Sequence, residues 1–242
     1  MVTKKGSALI TGATSGIGAT FAERFASMGY NLIITGRREK KIKDLAKQLK
    51  EKYKIKVDVV IAELSEKDEV EKLINTIKDK NIEILINNAG FGINNSYHEK
   101  EYRIWEEMLD VHIRCSIKLV HTVLPNMIKN RKGTIINVSS LSALLLMPGN
   151  TLYSSSKVFL KIFSEGLSME LNSFNIKIQA LCPGFTRSDF HKKMGKTKSR
   201  ASNKGLMKWQ SPGEVVDTSL EYLRKNKVVC IPGLHNKLMV FI

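Results

Sequence analysis

Cysteine is scarce in this sequence. The 242 residues include only three, Cys115, Cys182 and Cys230, and each lies in an apolar stretch. An odd number of cysteines without metal-ligand spacing argues against both a disulfide framework and a zinc site. The cysteine content therefore predicts a protein of a reducing cytosol that holds no metal.

Long hydrophobic runs are also missing. No apolar stretch approaches the roughly 18 residues that a membrane-spanning helix needs, and residues 1–5 lead into a strand-like run without a signal-peptide core. Glycine (16 residues) and proline (5) are scattered, which argues against collagen-like and low-complexity chains. We expect one cytoplasmic globular domain over residues 1–242, neither secreted nor membrane-spanning.

Acidic residues are few beside the basic ones, 23 against 39, which gives a formal net charge of +16. Such an excess is compatible with binding to nucleic acid or to an anionic membrane. The lysines, however, are interleaved with acids, and no recognition-helix or aromatic stacking pattern accompanies them. The pattern favours a solvated lysine-rich surface, so we predict no nucleic-acid partner and do not expect membrane contact.

What the sequence does contain is an alternation of two patterns. Short apolar runs, typical of buried parallel strands, alternate with longer segments of 3.6-residue period, typical of crossover helices. The strand-like runs are residues 7–11, 31–35, 57–62, 82–87, 133–139, 176–182 and 228–231. The helical segments are residues 16–28, 40–53, 66–78, 103–130, 152–174 and 212–225. This order predicts an α/β fold, a doubly wound parallel seven-stranded Rossmann sheet with helices on both faces.

Sheets of this kind bind ligands beyond the carboxyl ends of their strands, so residues just after each strand are the candidates for chemistry. The first strand ends in a glycine-rich turn, Thr11-Gly12-Ala13-Thr14-Ser15-Gly16-Ile17-Gly18, and a helical segment begins at once. Backbone amides and the positive end of a helix can hold a pyrophosphate there, and glycine allows its close approach. A tight strand-to-helix connection alone would also account for the glycines.

Further motifs occur in a fixed order along the chain. Asn87-Asn88-Ala89-Gly90 follows the fourth strand, Ser140 follows the fifth, Tyr153 and Lys157 form a Y-x(3)-K pair, and Pro183-Gly184 follows the sixth. Together with the T-G-x(3)-G-x-G turn, this set resembles the short-chain dehydrogenase/reductase family over nearly the whole chain. The resemblance implies an oxidoreductase that interconverts a carbonyl and a secondary alcohol by hydride transfer with a nicotinamide cofactor.

The second strand bears on which cofactor is bound. An NAD-binding unit is expected to place an acid near this point for the ribose 2′-hydroxyl, whereas a 2′-phosphate requires a cation that contacts it bidentately. Here the acid is missing and Arg37 and Arg38 are present. Two arginines that merely decorate a helix start are the alternative. We predict NADP(H).

The resemblance implies a cofactor site assembled from the residues that follow several strands. Glu63 stands where relatives usually have an aspartate facing the adenine, Asn87 steadies the central strand near the adenine ribose, and Ser188 replaces the threonine of a P-G-x-x-x-T motif that holds the carboxamide. The expected cofactor-binding residues are Gly12, Thr14, Ser15, Gly16, Ile17, Gly18, Arg37, Arg38, Glu63, Leu64, Asn88, Ala89, Gly90, Tyr153, Lys157, Pro183, Gly184, Thr186 and Ser188.

Tyr153 and Lys157 are four residues apart and therefore share one face of a helix. An adjacent ammonium favours a phenolate and brings its pKa down from near 10 toward the working range. By resemblance, Tyr153 is the general acid and base, Lys157 tunes it and holds the nicotinamide ribose, and Ser140 donates to the substrate oxygen. Ser139 competes for that role but lacks the family's thirteen-residue spacing to the tyrosine.

His112 departs from the family pattern. Relatives usually have an asparagine in the helix before the fifth strand, where it holds a water that relays protons to the lysine. An imidazole can also donate and accept hydrogen bonds, so His112 belongs to the expected catalytic set. A hydrogen-bonded core histidine is the other interpretation, and both remain open.

The substrate is expected to be apolar. Residues 90–95, 141–152 and a lid or substrate loop at about 186–210 should form the pocket walls, and their apolar residues at 144–148 together with Phe91, Phe185 and Phe190 suit a lipid-like, steroid-like or aromatic ketone or alcohol. A 3-oxoacyl-[acyl-carrier-protein] reductase and a non-catalytic dinucleotide-binding sensor are the alternatives. By resemblance the protein is a homodimer or homotetramer. The apolar residues 238–242 are compatible with packing on a partner subunit, on a surface groove or on a membrane face.

Overall fold

The computed structural model describes residues 5–190 and 208–241. Its seven strands form one parallel sheet in the order β3-β2-β1-β4-β5-β6-β7. The strands are β1 (Ser7–Thr11), β2 (Asn31–Thr35), β3 (Val57–Val60), β4 (Ile82–Asn87), β5 (Gly133–Val138), β6 (Ile176–Leu181) and β7 (Val229–Cys230). The predicted doubly wound sheet is confirmed, with its reversal of strand order between β1 and β4.

Helices cover both faces of this sheet. They are α1 (Gly16–Ser27), α2 (Glu39–Tyr53), α3 (Lys67–Ile77), α4 (Tyr102–Leu109), α5 (Cys115–Asn130), α6 (Thr151–Leu171), α7 (Pro212–Arg224) and α8 (Leu234–Phe241). One core joins alternate strand residues such as Ile10 to α1, α2 and α7, and the other joins residues such as Leu9 to α3, α5 and α6. Because both faces are covered, the inner strands are apolar almost throughout, and all six residues of β4 are buried.

The strand register places the predicted site residues at one edge of the sheet. Thr11 at the end of β1 is level with Thr35 at the end of β2, and Asn87 at the end of β4 is level with Asn137 of β5. The turns that follow these strands therefore meet at the carboxyl edge of the sheet, next to the switch point where open α/β sheets bind ligands.

Some predicted boundaries were wrong. β3 ends at Val60, not at residue 62, and β7 has only two residues. The predicted helix 103–130 is α4 and α5 joined by a π turn over Asp110–Arg114, and α8 was not predicted. Within residues 5–190 and 208–241, no helix is long and apolar enough to cross a membrane.

Candidate active site

The glycine turn after β1 is locked against the turn after β4. A Cβ atom on Gly12 would lie 2.9 Å from the Ala89 Cα, and one on Gly18 would lie 2.5 Å from the Asn88 side-chain nitrogen. The Asn88 amide donates to the carbonyls of Thr11 and Gly12 at 2.9 and 3.1 Å. These positions therefore require glycine, because any larger residue would push the two turns apart.

The same turn leaves the start of α1 open toward the cleft. Gly12 and Gly16 adopt left-handed backbone conformations with φ of 64° and 58°. The N-cap residue of α1, Ser15, makes no side-chain capping bond, and the first turn carries no acid. A helix start of this kind favours an anion, so the turn fits the pyrophosphate of a dinucleotide.

Arg37 and Arg38 lie at the neighbouring end of β2. Arg37 donates to the Glu63 carboxylate at 2.7 Å. The Arg38 guanidinium donates through Nε to the Thr14 hydroxyl at 2.9 Å and through a terminal nitrogen to the Ser15 hydroxyl at 2.6 Å. The Arg38 contacts hold that side chain against the glycine turn, whereas Arg37 is held by Glu63.

A single cleft joins this region to the predicted catalytic residues. Its empty volume is about 1350 Å³, the solvent-open mouth included. Every predicted cofactor-binding residue lines it except Gly18, which packs behind the turn, and Ser140 lines it as well. His112 does not line the cleft but is fully buried beside it.

Ser140 follows β5, and α6 presents Tyr153 and Lys157 beside it; all three side chains are buried. The Lys157 ammonium donates to the Val138 carbonyl at 3.0 Å and lies 5.6 Å from the centre of the Tyr153 ring. The Ser139 hydroxyl donates to the Lys157 carbonyl at 2.7 Å. Ser139 therefore anchors the helix that carries the lysine, which leaves Ser140 as the better candidate to meet a substrate.

Burial sets the pKa values of this pair. It raises the pKa of Tyr153 to about 12, and a hydrogen bond with Ser140 offsets only part of the effect. Burial likewise lowers the pKa of Lys157 to about 8, against a smaller opposing effect of Cys182. The pKa of Tyr153 therefore lies above its usual value of 10, opposite to the predicted lowering by Lys157, because burial of the phenol is the dominant effect.

His112 sits on the π turn with partners at both ring nitrogens. Nε2 accepts from the Phe91 backbone N–H at 3.1 Å, and Nδ1 lies 2.8 Å from the Ser156 hydroxyl. Ser156 in turn donates to the Tyr153 carbonyl at 2.7 Å, so its oxygen accepts from Nδ1. Burial and the nearby Lys157 hold the pKa of His112 well below 6.5. A neutral imidazole engaged at both nitrogens favours a positioning role over a water relay.

The reacting end of the cleft is apolar. The Tyr153 ring packs 6.0 Å from the Phe190 ring, and Phe91 also lines the cleft. None of the residues 141–152, expected as a pocket wall, lines this cleft, and Leu146 and Met147 among them are 81% and 52% exposed. The apolar lining comes from the segments after β4 and β6.

The segment after β6 is fixed by residues that the sequence analysis missed. Gln210 exchanges backbone hydrogen bonds with Phe185 and Arg187, both at 2.9 Å, and its side chain accepts from Asn236 at 2.9 Å. A Cβ atom on Gly184 would lie 2.5 Å from the Asn236 oxygen. These contacts hold both ends of the predicted lid; its residues 191–207 lie outside the described residues.

The cysteines lie in the core, away from any cluster of potential metal ligands among the described residues. Cys115, Cys182 and Cys230 are free and buried, and burial raises the pKa of each thiol. In the described part of the chain, no group of three or more His, Cys, Asp or Glu side chains is placed to hold a metal ion.

The family model for short chain dehydrogenases matches residues 6–199. With the sheet order, the glycine turn and the buried serine, tyrosine and lysine already described, this match identifies the chain as a member of the short-chain dehydrogenase family.

Curated relatives cover a range of descriptions. An uncharacterized oxidoreductase of Staphylococcus saprophyticus is 35% identical over 73% of this chain and 76% of its own. The inactive hydroxysteroid dehydrogenase-like protein 1 of Homo sapiens is 37% identical over 73% of this chain, and the match spans 54% of that protein. The very-long-chain 3-oxoacyl-CoA reductase-A of Danio rerio is 35% identical over 76% of this chain and 59% of that protein. The chain thus spans little more than half the length of the last two.

Similar solved structures cover a larger share of this chain than these relatives do. A short-chain dehydrogenase from Sphingobium yanoikuyae in complex with NADPH superposes with a TM-score of 0.89 at 28% identity, covering 96% of this chain and 89% of that one. A bulky-bulky ketone specific alcohol dehydrogenase from Comamonas testosteroni superposes with a TM-score of 0.85 at 30% identity, covering 98% and 92%.

Proposed function

We propose that this protein is an NADP(H)-dependent oxidoreductase that interconverts an apolar ketone and its secondary alcohol. One observation carries the proposal: a single cleft holds Ser140, Tyr153 and Lys157 at one end and the glycine turn with Arg37 and Arg38 at the other. When bound, the cofactor supplies or accepts the hydride. The protein residues bind, orient and exchange the proton.

Tyr153 is the general acid of reduction. Its hydroxyl would donate a proton to the carbonyl oxygen as that oxygen gains negative charge, while the Ser140 hydroxyl holds the same oxygen by a hydrogen bond. Because burial raises the pKa of Tyr153 to about 12, the phenol is protonated at neutral pH, the form that reduction needs. Alcohol oxidation needs the deprotonated form and should therefore speed up as the pH rises.

Lys157 assists the same proton transfer. With a pKa of about 8 it carries a positive charge at neutral pH. Its ammonium lies 5.6 Å from the centre of the Tyr153 ring, which supports a role in holding the nicotinamide ribose and in stabilising the phenolate that remains after proton transfer.

The arginines support NADP(H) over NAD(H). The Arg38 guanidinium is already oriented by the hydroxyls of Thr14 and Ser15, and Arg37 lies beside it. A planar cation contacts a phosphate through two hydrogen bonds, which a ribose hydroxyl cannot match. The relative from Sphingobium yanoikuyae, solved with NADPH, supports the same choice.

A bulky apolar ketone suits the reacting end. Phe91 and Phe190 present aromatic surface next to Tyr153, and the relative from Comamonas testosteroni is described as specific for bulky-bulky ketones. A 3-oxoacyl thioester is the second candidate, favoured by the relative described as a very-long-chain 3-oxoacyl-CoA reductase. Both substrates would present their carbonyl to the same residues.

The protein is further proposed to act in the cytoplasm as a homo-oligomer. Three free buried cysteines suit a reducing compartment. On α6, the side chains of Phe159, Ile162 and Met169 are exposed although they are large and apolar. Such a face is more stable when a second copy covers it.

The test measures initial rates of NADPH and NADH oxidation with a panel of aryl ketones, a steroid ketone and a 3-oxoacyl-CoA. We expect reduction with NADPH of at least one aryl or steroid ketone. Tyr153→Phe removes only a hydroxyl, so it should lower kcat about a hundredfold or more while NADPH still binds.

Turnover of the thioester alone would favour the second candidate. NADPH binding without turnover of any member of the panel would contradict the enzymatic proposal and favour a dinucleotide sensor. Activity of Tyr153→Phe above about a tenth of wild type would contradict the general-acid assignment.

A further inference from the structure

An acid from a distant segment occupies the arginine end of the cleft. The Asp189 carboxylate, in the segment that follows β6, accepts from the Arg38 guanidinium at 2.7 Å and lies 3.1 Å from the Lys41 ammonium. The side chains of Arg38 and Asp189 are each 27% exposed, so this ion pair is partly shielded from water. Both residues line the cleft proposed for the cofactor.

The segment that carries Asp189 lies directly on the phosphate-binding turn. A Cβ atom on Gly16 would lie 2.8 Å from the Ser188 Cβ, and the backbone of Arg187 is tied to Gln210 at 2.9 Å. Asp189 thus belongs to a segment that packs on Gly16 of the glycine turn and is hydrogen-bonded to Gln210.

The described contacts use four of the five N–H donors of Arg38, so two donors are not free together. Nε and one terminal nitrogen bind the hydroxyls of Thr14 and Ser15, and the other terminal nitrogen binds Asp189. A phosphate that is to be bound bidentately must take over at least one of these donors. Asp189 is the partner with which a phosphate competes most directly, because both are anions and would repel each other at short range.

We propose that Asp189 is a specificity-determining residue: its carboxylate competes with the 2′-phosphate of NADP(H) for Arg38 and Lys41. This inference rests on the proposed function. The carboxylate occupies the cationic site when no nucleotide is bound and weakens NADPH binding by the free energy needed to displace it. NADH has no 2′-phosphate and does not need that displacement, so Asp189 narrows the preference for NADPH over NADH.

The experiment measures dissociation constants of NADPH and NADH by isothermal titration calorimetry for wild type and Asp189→Asn. The amide keeps the shape but removes the charge. We expect Asp189→Asn to bind NADPH roughly three- to thirtyfold more tightly than wild type does, because one competing ion pair is lost. The dissociation constant of NADH should change less. In an Arg38→Ala background the same substitution should have a much smaller effect, because the contested cation is gone.

Asp217→Asn is the matched control. Asp217 forms an ion pair with Arg24 at 2.7 Å, and neither residue lines the cleft. Asp217→Asn removes the same unit charge as Asp189→Asn. An equal gain in NADPH affinity in both variants would mean that net charge, not competition for Arg38, causes the gain, and would overturn the proposal. Melting temperatures of all variants confirm that the protein is folded.

Unchanged or weaker NADPH binding by Asp189→Asn would also overturn the proposal. Weaker NADH binding would instead mean that the carboxylate holds the ribose hydroxyl. Wild-type protein that binds neither nucleotide would overturn the proposed function together with this inference, whereas tight NADPH binding that Asp189→Asn leaves unchanged would overturn this inference alone.

Discussion

His112 links three parts of the site through one side chain. It accepts from the backbone of Phe91, contacts Ser156, and through Ser156 reaches the carbonyl of Tyr153. A Cβ atom on Gly90 would lie 2.9 Å from its Nε2, so the ring also packs against the turn after β4. The imidazole thus fixes the position of the apolar wall relative to the helix that carries the tyrosine.

Replacement of His112 tests this positioning role. His112→Ala removes the acceptor of the part-buried Phe91 N–H and one of the two hydrogen bonds of the Ser156 hydroxyl, which keeps its bond to the Tyr153 carbonyl. Loss of the partner of a buried polar group typically costs about 1–3 kcal/mol. We expect a lower melting temperature and a higher KM for the ketone, with a smaller change in kcat. His112→Asn, which can still accept from Phe91, should restore much of the KM.

Kinetics and melting temperature are measured on the same preparations. A collapse of kcat at unchanged KM and melting temperature would contradict the positioning role and restore the water relay. Because the pKa of His112 lies well below 6.5, kcat should show no inflection from this residue between about pH 6 and 8.

The resemblance, carried by motif spacing, predicted Ser140, Tyr153 and Lys157 as catalytic. The structure brings the three together because one strand end and one helix face carry them. Motif spacing could not predict Asp189 opposite Arg38, since the two are 151 positions apart and meet only after the sheet has formed. The predicted lowering of the Tyr153 pKa was wrong for a related reason. Burial is a property of the folded environment and does not follow from the i,i+4 spacing.

At the level of secondary structure, the inner strands were the most predictable elements. β1, β2 and β4 begin and end at the predicted residues, because buried apolar runs flanked by turns leave little freedom. The π turn between α4 and α5 was missed, since the helical pattern continues through it. α8 was missed because it is short and two of its leucines, Leu234 and Leu238, are exposed.

The exposed apolar face of α6 gives a prediction at this level. Ile162 is 57% exposed, so Ile162→Glu should not disturb the folded monomer, but it would bury a charge in any interface formed there. We expect wild type to sediment as a dimer or tetramer and Ile162→Glu to shift toward monomer in analytical ultracentrifugation at micromolar concentration.

Met28→Glu, at the end of α1, introduces the same charge at another exposed apolar residue. It should leave the assembly intact. A monomeric wild type, or an assembly that Ile162→Glu leaves unchanged, would contradict the α6 interface.

For the whole molecule, function depends on how the sheet brings distant segments together. The reversal of strand order between β1 and β4 opens the cleft, and the turns after β1, β2, β4, β5 and β6 all contribute to it. Among the described residues, four lysines pair with an acid on the same helix, as Lys43 does with Glu39 and Lys225 with Glu221. Exposed pairs of this kind contribute little to stability and keep the surface solvated.

In the proposed reaction, a hydride passes between NADPH and a ketone bound in this cleft. The most direct measurement uses NADPH deuterated at the hydride position, an apolar aryl ketone, and mass spectrometry of the alcohol formed by wild type and by Tyr153→Phe. We predict one deuterium on the carbinol carbon with wild type and almost no alcohol with Tyr153→Phe. If NADPH binds to wild type but no deuterium reaches the product with either the ketones or the 3-oxoacyl thioester, the proposed hydride transfer is contradicted.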